Sequence, residues 1–493
     1  MVLAWVATYF WLKTYKNRDD LPKNGANYTA LTPLWFIERA ATVYPTRKSV
    51  VHGSKHYTWL QIYLLALEPR FSHHYVSLYY FNLRFAAIAF VLSHGSAAAV
   101  IVDQELLPLA EKALKIMEDN NIKGKFKPPI LIVIGHDETC DTKKIEHALR
   151  SGAIEYENFL PTGDPEFAWK PQEDEWQSIA LGYTSGATAN PKGVVVSHRA
   201  AYAMSLSNAI FWRMNEGAVY LWTLPLFHSN GWTELVDLDR FMLTAKAVYS
   251  AIAMYGVTHF CAAPVVHNSI LSAPPEDTTL PLPHTVNVNT AGSSPPPSVL
   301  LAMSQRGFRV THVYGLTEIN GPATVCAWKP EWNKLSPEAQ ARLNARQGVR
   351  TICLEGLDVK DTLTKQQGYL KNPRANEEAF ANGWFHTGDL GVKHPDNYIE
   401  IKVRSKDIII SGECAILLEA SVVATPDKQW GESPCAFVTL RQGVDKLSSE
   451  QQLAEDIVKF SLPKTGTEKI QKHLLRTRTK EMGPVGMVTK SKL

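Results

Sequence analysis

Short apolar runs alternate with stretches of helical periodicity along most of this chain. Residues 97–102, 129–135, 179–183 and 194–196 are short and apolar, the last of them β-branched throughout, so they read as buried strands. Leu34, Ile37, Ala40 and Ala41 recur at helical spacing, and residues 106–117 read as a second helix. Ser197 stands where a helix N-cap belongs, ahead of residues 199–204. Strands alternating with helices predict an α/β layered architecture with a largely parallel sheet. Proline clusters at Pro274-Pro275, residues 281–283 and residues 295–297 mark loops. Near residues 401–404 the pattern becomes shorter and mixed. Beyond it, residues 449–452 form a capping box for a helix with Leu453, Ile457 and Phe460 on one face. The pattern divides the chain into an extension (1–20), a large layered domain (21–402) and a small α+β domain (403–493).

The stretch between two of these strands carries chemistry. Residues 183–193 read Tyr-Thr-Ser-Gly-Ala-Thr-Ala-Asn-Pro-Lys-Gly. Thr184, Ser185 and Thr188 supply hydroxyls, Lys192 supplies a charge, and Gly186 and Gly193 let backbone approach a ligand. Such a loop suits a polyphosphate. Its composition alone also fits an ordinary surface loop. The P-loop of kinases needs Gly-Lys-Ser/Thr and an immediate helix, whereas Pro191-Lys192-Gly193 leads into a strand. Further on, residues 290–295 (Thr-Ala-Gly-Ser-Ser-Pro) place a glycine turn after a strand. Residues 312–318 read His-Val-Tyr-Gly-Leu-Thr-Glu, and Glu318 beside Thr317 suits Mg²⁺ and a phosphate. Asp389 follows a glycine turn and can accept from two ribose hydroxyls. Residues 404–407 set cations beside the interdomain link, and Lys469 lies near the end. Taken singly, Glu318, Asp389 and Lys469 read equally as a surface carboxylate, a turn residue and a solvated lysine.

In chain order together, these strings resemble the adenylate-forming (AMP-binding) superfamily. The likeness is greatest to plant acyl-activating enzymes, in the group of peroxisomal acetate/butyrate– and benzoate or cinnamate–CoA ligases, and it runs over residues 21–493. The resemblance implies two steps. A small carboxylic acid attacks the α-phosphate of ATP, giving an acyl-adenylate and pyrophosphate; CoA thiol then takes the acyl group and AMP leaves. It implies that Thr184, Ser185, Gly186, Thr188, Lys192 and Gly193 hold the β,γ-phosphates. Gly292, Ser293, Ser294 and Tyr314 would flank adenine, with Gly315 beside them. Thr317 would bind the α-phosphate, Glu318 would help hold Mg²⁺, and Asp389 and Arg404 would hold the ribose. Lys469 would bridge carboxylate and α-phosphate. His228 would border the acyl and pantetheine channel, with a buried structural histidine as the equal alternative. The small domain would rotate about residues 404–407 between half-reactions.

The chain also departs from that pattern. Ala187 stands where relatives carry Thr, and Glu468 where they carry Gly. The segments around residues 69–85, 233–240 and before residue 368 are altered or shortened. Ser411-Gly412-Glu413 is a cut version of a longer glycine loop near CoA. Two functions follow: an active acyl–CoA ligase, or a weak or inactive relative that retains nucleotide binding.

Bulk properties narrow the setting. With 493 residues there is room for more than one domain, and 20% charged residues is ordinary for a folded globular chain. A net charge of +3 is too small to argue for nucleic acid. The six cysteines form no Cys-x-x-Cys pair, which suggests neither zinc nor a disulfide framework, and a reducing compartment. Residues 2–12 are apolar but shorter than the ~20 residues a spanning helix needs. They are read as an extension, and no membrane attachment is expected. The tail Ser491-Lys492-Leu493 is an address read by the peroxisomal import receptor.

Overall fold

The fold is described from a computed structural model, over residues 24–52, 55–67, 85–120, 128–135, 142–159, 162, 172–184, 191–224, 244–292, 294–354, 356–357, 371–379, 385–404, 417–427 and 431–440. Helix α1 (Leu34–Val43) precedes a small antiparallel ladder of β1 (Lys48–His52) and β2 (Lys55–Thr58), then helix α2 (Trp59–Leu67). The first layered unit follows. Helix α3 (Phe85–His94), β3 (Ala99–Asp103), α4 (Leu107–Asp119), β4 (Ile130–Ile134), α5 (Thr142–Arg150) and β5 (Ile154–Glu155) build a parallel sheet in the order β3-β4-β5. Ile88, Leu92, Val102, Ala110 and Val133 fill the seam between these helices and strands. A parallel pair needs a crossover, and a helix with one apolar face supplies it while covering the sheet.

An antiparallel hairpin, β6 (Ser178–Thr184) and β7 (Lys192–Ser197), leads into α6 (His198–Phe211). Ser197 caps that helix, its hydroxyl accepting from the Ala200 amide at 3.2 Å, as its position in the sequence predicts. The chain upstream of α1 is tied here. Glu175 accepts from the Leu31 amide (3.1 Å), and Thr32 Oγ1 meets His198 Nδ1 (2.9 Å).

The second layered unit is the larger. It runs through β8 (Tyr220–Leu221), α7 (Ala245–Tyr255), β9 (His259–Ala262), α8 (Pro264–Ser272), β10 (Val286–Thr290), α9 (Pro297–Gln305), β11 (Phe308–Leu316), β12 (Gly321–Val325), α10 (Pro337–Asn344) and β13 (Val349–Arg350). Strands β8 to β11 are parallel, while at one edge β12 runs antiparallel to both its neighbours, β11 and β13. The sheet is therefore parallel only over its first four strands. Pro297 lies inside the proline cluster read as a loop, yet it opens α9. A helix's first turn has no use for the missing N–H, so proline suits it. The core sits between this sheet and its helices, where Phe308 meets Tyr249 and Phe260 at 6.1 and 6.0 Å between ring centroids. Helix α11 (Pro373–Ala379) and the hairpin β14 (Asp389–Lys393) and β15 (Ile399–Arg404) follow, then the hairpin β16 (Leu417–Asp427) and β17 (Gly431–Leu440). The helix expected after residue 449 lies outside the described residues. Among the described residues no helix is long and apolar enough to cross a membrane.

Two histidines are buried in the second unit. His312, on β11, donates from Nδ1 to the Ala345 carbonyl at 2.7 Å. His267, on α8, finds no partner for either ring nitrogen among the described residues. Burial pushes both imidazoles from 6.5 down to about 4, and their mutual repulsion adds to the shift of His267. The unfolded chain thus takes up protons near pH 6.5 and the folded chain only near pH 4. Stability is full above pH 6.5 and falls as the pH drops toward 4, by on the order of 3 kcal/mol for each imidazole. Denaturant titrations across that window are expected to record the decline. The His267→Leu variant should lose part of the slope and be no less stable than the parent at pH 7.5.

Candidate active site

Hairpin β6–β7 places the two ends of the hydroxyl-rich loop side by side, with Thr184 paired to Lys192 and Tyr183 to Gly193. Residues 185–190, which include Ser185, Gly186 and Thr188, lie outside the described residues. The base of the hairpin is anchored. Tyr183 Oη lies 2.8 Å from His94 Nδ1 and 3.3 Å from the Val91 carbonyl, at the end of α3. Burial pushes the Tyr183 phenol up to about 12, so it stays a neutral donor. Lys371 closes the same corner, its Nζ donating to the His94 carbonyl at 2.8 Å. A lysine there satisfies a carbonyl that the helix end leaves without an intrahelical partner.

Strand β11 delivers the second group of residues. Its end and the start of β12 approach so closely that a Cβ on Gly315 would stand 2.0 Å from the Gly321 carbonyl oxygen. That approach forces the chain through the single 3-10 turn Thr317–Ile319, closed by Asn320 in the left-handed region at φ 56°. The turn packs against both β6 and β7. Thr317 and Glu318 are thereby brought to the hairpin that carries Thr184 and Lys192.

The third group is joined through Tyr314. Its hydroxyl donates to Asp389 Oδ2 at 2.5 Å, across 75 positions of sequence. Asp389 opens β14, directly opposite Arg404 at the end of β15. The turn read after β10 is present, with Gly292 at φ 88°. Ser294, in that turn, accepts from Gln347 Nε2 at 2.6 Å, and Gln347 Oε1 accepts from the Ile401 amide on β15, also at 2.6 Å. Beside it Arg346 grips Asp396 with two hydrogen bonds of 3.1 and 3.2 Å, and Lys329 adds a third contact at 3.3 Å. Burial alone would raise the Asp396 carboxyl, but the hydrogen bonds from Arg346 and Lys329 outweigh it and hold it below the usual range.

Thr184, Lys192, Gly193, Gly292, Ser294, Tyr314, Gly315, Thr317, Glu318 and Asp389 thus line neighbouring ends of β6, β7, β10, β11 and β14, and the backbone of Arg404 faces Asp389. His228, Ser293 and Lys469 lie outside the described residues. Gln347, Arg346 and Lys371 are additions that the sequence reading missed. The signal for the first two was Gly348: at φ 87° and with a Cβ position 2.0 Å from the Val325 carbonyl oxygen, it marks a tight crossing. The donor set fits Mg²⁺. No group of three or more metal-ligating side chains occurs among the described residues, and Mg²⁺ is commonly held by one or two carboxylates plus substrate phosphates. Glu318 beside Thr317 offers that single protein carboxylate.

The crossing of β11 and β12 leaves no room for a side chain. Gly315→Ala is expected to lower stability by at least about 3 kcal/mol, because backbone rather than a flexible side chain must move. The shift of the denaturant midpoint measures the loss.

The family model for AMP-binding enzymes matches residues 69–367, and that for the AMP-binding enzyme C-terminal domain matches residues 412–488. The chain is 56% identical to an acetate–CoA ligase of Humulus lupulus, covering 94% of this chain and 97% of that protein. It is 52% identical to a peroxisomal acetate/butyrate–CoA ligase of Arabidopsis thaliana, covering 96% and 98%. The first alignment spans 556 positions, more than the 493 residues present here, so that relative carries internal residues this chain lacks. The fold matches the anthranilate CoA ligase AuaEII, solved with anthranoyl-AMP, at a TM-score of 0.69 and 18% identity, over 93% of this chain and 99% of that one. Family matches over more than half the chain and identity above one half across nearly its whole length make this protein a member of the AMP-binding enzyme family of adenylate-forming ligases.

Proposed function

We propose that this chain activates a short-chain monocarboxylic acid, acetate or butyrate foremost, at the site framed by Thr184, Lys192, Thr317, Glu318 and Asp389. The chain is an AMP-forming acyl–CoA synthetase, and its family converts acids to adenylates and passes them to CoA, with ATP and Mg²⁺. The choice of acid rests on its two relatives above 50% identity, named as acetate– and acetate/butyrate–CoA ligases. The observation that carries the site is the Tyr314–Asp389 hydrogen bond. It draws the ribose-binding carboxylate to the strand whose next turn holds Thr317 and Glu318.

The chemistry brings a carboxylate against a polyphosphate, so negative charge must be neutralised where it accumulates. Lys192 and the hydroxyls of Thr184, Ser185 and Thr188 would take the β,γ-phosphates, with Gly186 and Gly193 giving close backbone approach. Mg²⁺, held by Glu318, would supply charge neutralisation on the phosphates. Thr317 would donate to the α-phosphate. Gly292, Ser293, Ser294, Tyr314 and Gly315 would bound the adenine, and Asp389 with Arg404 would take the ribose. Lys469 would reach the carboxylate and α-phosphate during adenylation only, and His228 would border the acyl channel. The large domain is assigned to residues 21–402 and the small one to 403–493.

A second reading has its own support in the extra internal residues of the first relative. Adenylation draws on residues that are present, whereas thioester formation draws on the small domain and the glycine loop cut to Ser411-Gly412-Glu413. Losing an orienting element forfeits up to about 7 kcal/mol. Losing the one hydroxyl at Ala187 costs about 1–3 kcal/mol. Acyl-adenylate is therefore expected to form and accumulate or hydrolyse, with little acyl-CoA. Pyrophosphate exchange with acetate, butyrate and aromatic acids tests the first step, and mass spectrometry of both products tests the second. Lys469→Ala should abolish exchange yet barely change thioester formation from supplied acyl-adenylate. Absence of exchange with every acid would leave the nucleotide-binding relative as the reading.

Relatives of this chain are named as peroxisomal. We place this chain there too, through the import receptor and Ser491-Lys492-Leu493. A fluorescent protein fused to the N-terminus is expected in peroxisomes, and deletion of Leu493 should release it to the cytosol.

A further inference from the structure

Gln347 is 3% exposed and reaches in two directions at once. Its backbone is held first. The Gln347 and Gly348 amides both donate to the Ile399 carbonyl at 3.1 Å, and the Ile399 amide returns a bond to Gly348 at 2.7 Å. The side chain then bridges Ser294, in the turn after β10, to Ile401 on β15. A backbone amide can only donate, so the Ile401 N–H fixes which end of the glutamine amide is oxygen. The opposite end is then NH₂, and Ser294 Oγ has to accept from it. Ser294 is left with one hydrogen to give. It is exposed, and among the described residues no acceptor takes that hydrogen.

We propose that Gln347 is a positioning residue for adenylation: it commits the Ser294 hydroxyl to donate to a lone pair on the bound nucleotide and ties that donor to the strand ending at Arg404. The inference rests on the reading of residues 292–294 as part of the nucleotide site and adds to it a residue that touches no substrate. The sequence itself supplies no adenine- or phosphate-binding signature at Gln347. Its role comes only from the two hydrogen bonds and the polarity that one imposes on the other.

The test uses the full chain and AMP as the probe. AMP affinity is measured by calorimetry, and steady-state pyrophosphate exchange is measured with acetate at varied ATP. The variants are Ser294→Ala, Gln347→Met and the pair together. Ser294→Ala is expected to weaken AMP about tenfold in a protein that remains folded, with at most a modest drop in melting temperature from the unpaired Gln347 amide. It should raise the KM for ATP while kcat stays within about twofold. Gln347→Met, similar in length but unable to form either bond, is expected to weaken AMP at least as much. In the Ser294→Ala background it should add less than about twofold, because the two act as one unit. Independent, multiplicative effects would overturn the proposal. So would an unchanged AMP affinity in Ser294→Ala, a result that needs no buried substitution. A parent protein that binds no AMP would remove the site reading as well; a parent that binds AMP with variants indistinguishable from it removes only this proposal.

Discussion

The site depends on how the hairpin β14–β15 is fastened to the edge of the large sheet. Three sets of contacts do this through one short segment. Arg346 holds Asp396 at the tip of the hairpin, Gly348 exchanges backbone bonds with Ile399, and Gln347 accepts from Ile401. They run from the hairpin tip along β15 toward Arg404. The register this sets places Asp389, on the partner strand, within reach of Tyr314 on β11. Without that attachment the carboxylate would sit on an independent two-stranded ribbon, and such ribbons are marginal by themselves.

Polar contacts at this junction are supported by aromatic rings. Arg346 lies over Tyr398 and Trp332 at 4.6 and 5.5 Å, and Lys329 over Tyr398 at 4.7 Å. Tyr398 donates to the Ala327 carbonyl at 2.6 Å, and burial pushes its phenol up to about 12, so it adds no charge to the cluster. Two cations thus share one carboxylate over neutral π faces. An arginine fork matched to a carboxylate and backed by rings holds its geometry better than an exposed lysine pair would. The Arg346 side chain is only 9% exposed, which limits screening by salt.

Much of the frame was legible because it follows local rules. The apolar runs became β3, β4, β6 and β7, and the spacing of Leu34 to Ala41 became α1. Ser197 became the expected cap, and the glycine turns stand before Ser294 and Asp389. Residues joined by long-range contacts were harder to read. Tyr314 was named for its place in a string, and nothing local signals that it meets Asp389. Gln347 sits in a polar run, Ala345-Arg346-Gln347-Gly348, that reads as surface. Its burial comes from β15, some fifty residues away. Nothing local singles out Lys371, and its bond to the end of α3 depends on tertiary packing alone. The antiparallel edge of the large sheet escaped for the same reason, since strand direction is set by where a chain returns.

The pairing of Thr184 with Lys192 has an evolutionary consequence. Side chains two apart on a strand share a face, so Lys192 points the same way as Val194 and Val196, both only 1% exposed. Sliding β7 by one residue would turn the lysine away from the loop, and would also turn both valines out of the interior. That costs about 1.5–3 kcal/mol for each valine. The interior therefore acts as a reading frame for the charge. Selection for a folded protein also preserves the face on which Lys192 stands, separately from any selection on the loop that precedes it.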